Sequence, residues 1–257
     1  MVTALADLEA RRKGVPLHEL LGNGGETSVV RCNATLGADP PEEIADRARE
    51  LSELGFNRFK LKVGMEDDRD RVEALRGSLG SGSLIRLDAN GAWTPGEAIS
   101  FISEIGTEGL ELLEQPTRGL EGLAQVRAAT GVPVVADESV STPEEAAEAA
   151  EVGACDAVTV KISKVGGLDG RLGGSLPTYM SSALDGPVGI AAAGHVAMTL
   201  PEAGPTGPTY HGLATLGLFE GTIAAVGPEM EGDALALPPG PGIGVEIDES
   251  ALAAFRL

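Results

Sequence analysis

Cysteine and histidine are scarce in this chain of 257 residues, which contains two of the first and three of the second. Cys32 and Cys155 have no CxxC partner, so we expect two reduced, partly buried thiols. His18 and His195 lie in helical segments as surface or packing residues, whereas His211 on a late strand is a candidate to face a site. Neither residue type by itself indicates the chemistry of the chain.

Long apolar runs are also missing. No segment approaches the roughly 20 apolar residues of a membrane span, and the N-terminus lacks the charged-then-apolar pattern of a secretion signal. We therefore expect no membrane association and a cytoplasmic location. With 42% apolar and 23% charged residues, the chain can bury one sizeable core.

Positively charged residues are few. The chain has 19 Lys and Arg residues and 39 Asp and Glu residues, which gives a net charge of −20. This balance argues against nucleic acids and anionic membranes as partners, since binding to either depends on Lys and Arg that neutralise phosphate. A small anionic substrate remains compatible with it, because a site with several lysines and a metal can be locally positive.

The five lysines of the chain are unevenly placed. Four stand in two short clusters, Lys60 and Lys62 in FKLKVG and Lys161 and Lys164 in VKISKVGG. Between the clusters, three carboxylates recur at nearly even spacing, each at the end of a short apolar run typical of a buried parallel strand. They are Asp88 in RLDANGAW, Glu114 in ELLEQP and Asp137 in VVADES.

Three ionised carboxylates on neighbouring strands, roughly 4.8 Å apart, repel each other unless a cation lies among them. Mg²⁺ is the first choice because it prefers oxygen ligands, and Mn²⁺ is the alternative. Desolvation and the metal charge would lower the pKa of a lysine facing this centre, which would make it a neutral base. The pattern predicts a proton-abstraction site built around a divalent cation.

Each member of the pattern also has an ordinary structural explanation. A lone Asp after a strand often caps the next helix, and a lone KxK often lies on a solvated strand face. Five such elements on five successive strands would rarely align by chance, so the joint pattern favours a functional site.

Strand and helix patterns alternate along the chain and predict an α/β fold, a (β/α)₈ barrel of eight βα units. We expect a first helix at 3–21 and strands at 29–35, 59–63, 84–88, 110–114, 133–137, 157–162, 178–183 and 210–215. The sixth helix should be short because five glycines crowd its place. They are Gly166, Gly167, Gly170, Gly173 and Gly174.

The candidate residues share one end of this barrel. Lys60 and Lys62 are two apart on one strand and share its inner face, as do Arg86 and Asp88 on the next. Barrels of this type place catalysis at the C-terminal ends of their strands, where these runs end.

The motifs resemble those of the enolase superfamily, in its muconate-lactonizing subgroup, and most closely the o-succinylbenzoate synthases of menaquinone biosynthesis. The resemblance covers nearly the whole chain, from DLEARRKGVPLHELLG ahead of the barrel to SSALDGPVG on the seventh strand. It implies a Mg²⁺-dependent carbon–oxygen lyase that dehydrates a cyclohexadiene carboxylate. The general solution in this superfamily is a Lys or His base with Mg²⁺.

By this resemblance, Lys62 removes the proton alpha to the substrate carboxylate and then protonates the departing hydroxyl on the same face. Lys161 stabilises the enediolate from the opposite side. The metal ligands are Asp88, Glu114 and Asp137. The substrate-binding residues are Lys60, Arg86 and Ser181.

Alternatives stay open at this point. N-succinylamino acid racemases share the motifs and would use both lysines as acid and base, and a related cycloisomerase belongs to the same group. The seventh strand lacks the histidine of the mandelate-racemase subgroup, and the eighth lacks the paired aspartates expected of a dipeptide epimerase. A truncated, weakly active or inactive Mg²⁺-binding barrel is the alternative from another class.

Members of the superfamily carry a capping domain ahead of the barrel, and we expect most of it to be missing here, by truncation or by a misassigned start. We divide the chain into 1–26, a remnant helix of that domain with the entry to the barrel, 27–216, the catalytic barrel, and 217–257, a segment packed outside it. The sequence leaves open the true substrate, activity without the cap, and whether the protein forms an oligomer.

Overall fold

A parallel β-sheet surrounded by helices forms the centre of the chain, as seen in a computed structural model that describes residues 1–22, 29–168, 172 and 174–255. The helices are α1 Val2–Lys13, α2 Leu17–Leu20, α3 Pro41–Glu53, α4 Asp68–Ser78, α5 Pro95–Ile105, α6 Leu120–Thr130, α7 Pro143–Glu151, α8 Ile162–Val165, α9 Pro187–Ala197 and α10 Glu249–Ala254, with a 3₁₀ turn at Leu216–Leu218. The strands are β1 Val30–Arg31, β2 Ala34–Leu36, β3 Arg58–Lys62, β4 Leu84–Asp88, β5 Leu110–Glu114, β6 Val134–Ala136, β7 Ala157–Val160, β8 Thr178–Met180, β9 Ala203–Gly204, β10 Gly207–Pro208, β11 Ala224–Val226, β12 Glu229–Glu231, β13 Ala234–Ala236 and β14 Glu246–Ile247.

Seven strands form the parallel sheet, in the order β2-β3-β4-β5-β6-β7-β8. Segment 209–213 joins its two edges, because His211 bridges Cys32 beside β2 and Gly212 bridges Ser181 beside β8. The predicted α/β barrel is thus confirmed. Its eighth member is two bridging residues, His211 and Gly212, rather than a regular strand, and it lies between the three-residue strands β2 and β8.

The predicted first strand, 29–35, is divided between two sheets. β1 pairs antiparallel with β13 near the C-terminus, while β2 pairs with β3 in the barrel. The change occurs at Cys32 and Asn33, whose amides donate to the carbonyls of Asp233 and His211. One continuous apolar segment of the sequence therefore contributes a strand to each of the two sheets.

Glycines decide where two of the predicted helices end. The helix expected at 3–21 is interrupted, because Gly14 caps α1 with φ 70° and Pro16 precedes α2. The sixth barrel helix, α8, has four residues and ends at Gly166 with φ 72°, so it is short as predicted. Gly170 and Gly173 lie outside the described residues.

The core consists of layers on both sides of the sheet. Outward side chains such as Phe59 and Leu87 pack under the helices, and a smaller cluster inside the barrel includes Leu112 and Tyr179. Capping boxes at Thr94 and Thr142 begin α5 and α7, so two of the three loops that follow acid-bearing strands end at a capped helix. No helix of the described part of the chain is long and apolar enough to cross a membrane.

The C-terminal segment packs against the outside of the barrel. Ile243 and Val245 lie in an apolar cluster with Leu17 of α2 and Ala191 of α9. Both cysteines are buried and free, in line with the expectation of reduced thiols, and burial raises the pKa of Cys32 to about 12.

Candidate active site

The strand register brings the candidate residues together. Lys62 lies opposite Asp88, and Asp88 lies opposite Glu114, at the C-terminal ends of three adjacent strands. Asp137 follows β6 directly and Lys161 follows β7, so all five occupy one end of the barrel. Alternation along each strand turns these side chains inward, because the outward neighbours fill the layer under the helices.

The three carboxylates are fully buried, and Lys60 bridges two of them, Asp88 and Glu114. Asp88, Glu114 and Asp137 each have 0% exposure. The Lys60 ammonium lies 2.8 Å from Asp88 Oδ2 and 2.7 Å from Glu114 Oε1. Tyr179 donates its hydroxyl to Glu114 Oε2 at 2.8 Å. Both oxygens of the central carboxylate are therefore held by side chains.

Asp88, Glu114 and Asp137 form a row of acids across three neighbouring strand ends. Lys62 lies at one end of this row. Its ammonium contacts Asp88 Oδ2 at 2.6 Å and Asn90 Oδ1 at 2.7 Å, and its side chain is 35% exposed. Asn90 in turn donates Nδ2 to Glu138 Oε1 at 2.7 Å. The predicted base is thus the more exposed member of the KxK pair.

Lys161 and Lys164 lie at the other end, on Asp137. The ammonium of Lys161 contacts Asp137 Oδ2, and that of Lys164 lies 2.8 Å from Oδ1 and 2.6 Å from the carbonyl of the same residue. Lys62 and Lys161 therefore flank the three carboxylates from opposite sides.

The charges in this row shift the pKa values in different directions. Burial, together with repulsion from Asp88 and Asp137, raises the pKa of Glu114 despite the nearby Lys60. Burial alone would raise the pKa of Asp88 as well, but Lys60 and Lys62 outweigh it and lower the value to about 2. Glu114 is therefore the carboxylate whose negative charge an additional cation would stabilise most.

In the contacts seen here the neighbouring carboxylates raise the pKa values of Lys60 and Lys161, and the expectation of a lysine pKa lowered by desolvation and a metal charge stays a prediction. Burial lowers the pKa of Lys60, but the attraction of Glu114 and Asp88 outweighs it and raises the pKa. The pKa of Lys161 is raised in the same way by Asp137. A cation among the acids would act in the opposite direction, because it would compete for the same carboxylates.

The predicted substrate-binding residues lie in two places. Lys60 is in the row of acids, and Ser181 is 4% exposed beside Gly212 at the edge of the barrel end. Arg86 lies deeper, at 3% exposure, where its guanidinium binds Glu111 at 2.8 and 3.0 Å and the Tyr210 carbonyl at 2.8 Å. These contacts direct Arg86 to the barrel interior below the carboxylates.

Sequence reasoning missed three polar residues that the structure adds to the site. Tyr179 precedes Ser181 by two positions within the predicted strand 178–183, a spacing that could have identified it. Asn90 stands in DANG and adopts φ 46°, and Gln115 stands in EQP with φ 39°. Neither φ is visible in the sequence. His211 is buried and accepts a hydrogen bond at Nδ1 from the Met180 amide, away from the carboxylates.

The acids suit a hard divalent cation by their chemistry. Within the described residues, no three acidic, histidine or cysteine side chains already converge as metal ligands do. Lysine ammonium groups bridge the acids instead. The donor set nonetheless consists of three fully buried carboxylates on neighbouring strand ends, which are the oxygen ligands that Mg²⁺ prefers. Their mutual repulsion at Glu114 is what such an ion would relieve.

Comparison with known proteins identifies the family to which the chain is related. A family model described as enolase C-terminal domain-like matches residues 43–251. An L-Ala-D/L-Glu epimerase of Clostridium acetobutylicum is 37% identical over 207 residues, which are 76% of this chain and 57% of the epimerase. A muconate cycloisomerase 1 of Rhodococcus opacus is 35% identical, with 97% of this chain and 69% of the relative covered. An o-succinylbenzoate synthase of Thermobifida fusca is 36% identical, with 76% and 62% covered.

Solved structures show the same similarity. A 2-chloromuconate cycloisomerase from Rhodococcus opacus 1CP superimposes with a TM-score of 0.91 at 28% identity, with 99% of this chain and 73% of that one covered. A dipeptide epimerase from Enterococcus faecalis V583, solved with Mg and the dipeptide L-Leu-L-Tyr, has a TM-score of 0.83 at 31% identity, with 95% and 71% covered. The matched part of this chain spans less than two thirds of the first epimerase and of the synthase.

Proposed function

Because the chain belongs to the enolase C-terminal domain-like family, in the muconate-lactonizing subgroup of the enolase superfamily, we propose that it removes the proton alpha to a carboxylate in a Mg²⁺-dependent reaction. Within that chemistry we propose an o-succinylbenzoate synthase, which dehydrates 2-succinyl-6-hydroxy-2,4-cyclohexadiene-1-carboxylate in menaquinone biosynthesis. The observation that supports this most is the pair Lys62 and Lys161 on opposite sides of three buried carboxylates.

Asp88, Glu114 and Asp137 would hold the Mg²⁺, which when bound would stabilise the negative charge that develops on the substrate carboxylate. Lys62 would first leave its contact with Asp88 and lose its proton to water, to which its side chain is exposed. It would then take the alpha proton from the substrate and return it to the hydroxyl that leaves from the same face, so the products are o-succinylbenzoate and water. The Lys161 ammonium would offset the developing charge from the other side.

The composition of residues 209–215 favours the synthase over the dipeptide epimerases among the relatives. A dipeptide carries a free ammonium group, which carboxylates would have to bind. Segment 209–215, Thr-Tyr-His-Gly-Leu-Ala-Thr, supplies none, and Ser181 lies beside Gly212 where the distal end of the substrate would extend. Succinyl recognition by a neutral hydroxyl and backbone amides agrees with this composition.

The proposal is tested by mixing the purified chain with Mg²⁺ and the cyclohexadiene substrate. Absorbance follows the conversion of the substrate to o-succinylbenzoate. Lys62→Ala should lose nearly all activity, while Lys161→Arg, which keeps the charge, should retain part of it. Lys13→Ala, which changes the remaining lysine on the exposed face of α1, is the matched control and should leave the rate unchanged. An inactive parent chain that still binds Mg²⁺ would support the weakly active or inactive barrel instead.

An N-succinylamino acid racemase is the second candidate, because Lys161 is placed as well as Lys62 to transfer a proton. A racemase needs both lysines, so either Ala variant would stop racemisation. In D₂O, exchange of the alpha proton of only one enantiomer by Lys161→Ala would favour this two-base reaction. Equal loss of exchange for both enantiomers in Lys62→Ala alone would favour the synthase.

A further inference from the structure

Gln115 follows Glu114 in an unusual backbone conformation. Its φ is 39°, in the left-handed region that a residue with a side chain seldom adopts, and its exposure is 1%. A buried residue keeps such a conformation only where the surrounding contacts hold it there, and such residues concentrate at functional sites.

The side-chain amide of Gln115 is fully used. Nε2 donates to the Thr117 carbonyl at 2.8 Å and to Ser139 Oγ at 2.6 Å. Oε1 accepts from the amide of Asp137 at 2.8 Å and from that of Ser139 at 3.2 Å. Two donors and two acceptor positions are all that an amide group has. All four positions are thus occupied, and one of them holds the backbone amide of Asp137.

The backbone of Gln115 joins the same elements. Its amide donates to the Val135 carbonyl in β6 at 2.8 Å, and its carbonyl accepts from Gly91 at 2.7 Å, in the loop that follows Asp88. One residue therefore contacts the ends of three strands, and each of those strands carries one acid of the row.

We propose that Gln115 is a positioning residue, which fixes the separation of the Glu114 and Asp137 carboxylates and so sets the affinity of the site for a divalent cation. The inference rests on the proposed function, in which these acids hold Mg²⁺. Gln115 acts through its neighbours: one of its hydrogen bonds ends on the backbone of Asp137, and its own peptide bond joins it to Glu114. Groups that orient metal-binding side chains in this way typically contribute a factor of roughly 10–100 to metal affinity.

The test compares Gln115→Met with Gln125→Met. Methionine keeps the shape of the side chain and the same left-handed backbone cost, but forms none of the four hydrogen bonds. Gln125 is exposed on α6 and serves as the control. Isothermal titration with Mg²⁺ should give a Kd raised about 10–100-fold in Gln115→Met and unchanged in Gln125→Met. Hydrogen exchange at the amides of Asp137 and Ser139 should accelerate in the first variant only.

Ser139→Ala provides a milder change, because it removes one of the four hydrogen bonds and leaves the others. It should raise the Kd by a few-fold, and it decides the question if Gln115→Met does not fold. Equal Mg²⁺ affinity in the parent, Ser139→Ala and any folded Gln115→Met would overturn the inference and leave the proposed function standing. A parent chain without measurable Mg²⁺ binding would overturn both.

Discussion

At the scale of single residues, Lys60 and Lys62 show how two positions on one strand acquire different chemistry. Lys60 is 5% exposed and shared by two carboxylates, which outweigh its burial and raise its pKa. Lys62 is 35% exposed and contacts Asp88 together with the neutral Asn90. A base must lose its proton and reach the substrate, so the environment of Lys62 suits this role better than that of Lys60.

Glu114 should determine whether Mg²⁺ stabilises the folded chain. A ligand that binds only the native state at 100 times its Kd adds about 2.7 kcal/mol, a rise in Tm on the order of 5–10 °C for a chain of this size. Glu114→Gln keeps the shape of the side chain but removes the central charge, and should lose that gain in thermal melts with and without Mg²⁺. Glu108→Gln, at an exposed position, should keep it. A parent Tm indifferent to millimolar Mg²⁺ would refute the metal site.

His195 should make the fold sensitive to acid. It is 1% exposed, its Nε2 lies 3.2 Å from the Ile243 carbonyl, and its Nδ1 lies 3.0 Å from that of His18. Burial and the neighbouring His18 lower the pKa of His195 to about 4 from 6.5. Between these values the unfolded chain binds a proton that the folded chain does not, so stability is complete above about pH 6.5 and is lost as the pH falls towards 4.

His195→Gln removes this linkage, and should flatten the dependence of the unfolding free energy on pH in that window by up to about 3 kcal/mol. Urea titrations at pH 7, 6 and 5 measure the effect. His18→Gln should retain most of the slope, because burial of His195, the larger cause of its shift, remains. Parallel slopes for the parent and His195→Gln would show that other groups govern the acid response.

At the scale of elements, α8 is too short to be stable by its own hydrogen bonds, since four residues form barely one helical turn. Lys164 ties it to the barrel through Asp137 Oδ1, the Asp137 carbonyl at 2.6 Å and the Thr159 carbonyl at 2.9 Å. The same helix begins directly after Lys161, so its position determines that of a proposed catalytic side chain.

Lys164→Met should therefore lower stability by about 1–3 kcal/mol, the range for losing hydrogen bonds to a charged group. Chemical denaturation measures this loss, and Lys13→Met on the exposed face of α1 should change the midpoint little. Equal midpoints for the two variants would mean that apolar packing alone holds α8.

At the scale of the whole molecule, closure of the barrel depends on segment 209–213. A Cβ atom on Gly212 would lie 2.6 Å from Ser181 Oγ and 3.2 Å from its Cβ, so the segment can approach β8 only because this residue is glycine. Closure and the proposed substrate contact at Ser181 are thus parts of one packing arrangement.

Gly212→Ala should destabilise the chain by about 1–3 kcal/mol through overpacking, and should raise KM because Ser181 must move. Gly217→Ala is the matched control, since its added methyl group meets no atom within 4 Å. The comparison needs one denaturation series and one kinetic series. A Gly212→Ala variant as stable as Gly217→Ala would show that the eighth position of the barrel is loosely packed.

Much of this architecture could be predicted from local patterns. The acid-bearing strands end in Asp88 and Glu114, as their apolar runs predict, and glycines correctly marked a short sixth helix. The segment 3–21 is predicted as one helix, but Gly14 and Pro16 divide it into two. Both residues are helix-ending signals that the sequence itself contains. Helical periodicity alone predicts a single helix there, whereas the glycine and proline correctly indicate a break.

The amino-acid sequence by itself determined the order of strands and helices and the set of charged side chains at the strand ends, because burial periodicity and turn chemistry are local properties. Tertiary structure alone decided that 29–35 serves two sheets, that Arg86 binds Glu111 inside the barrel, and that Gln115 joins three strand ends. These outcomes depend on contacts between residues far apart in the chain. Their energies exist only once the sheet has curled and brought both partners within hydrogen-bonding distance.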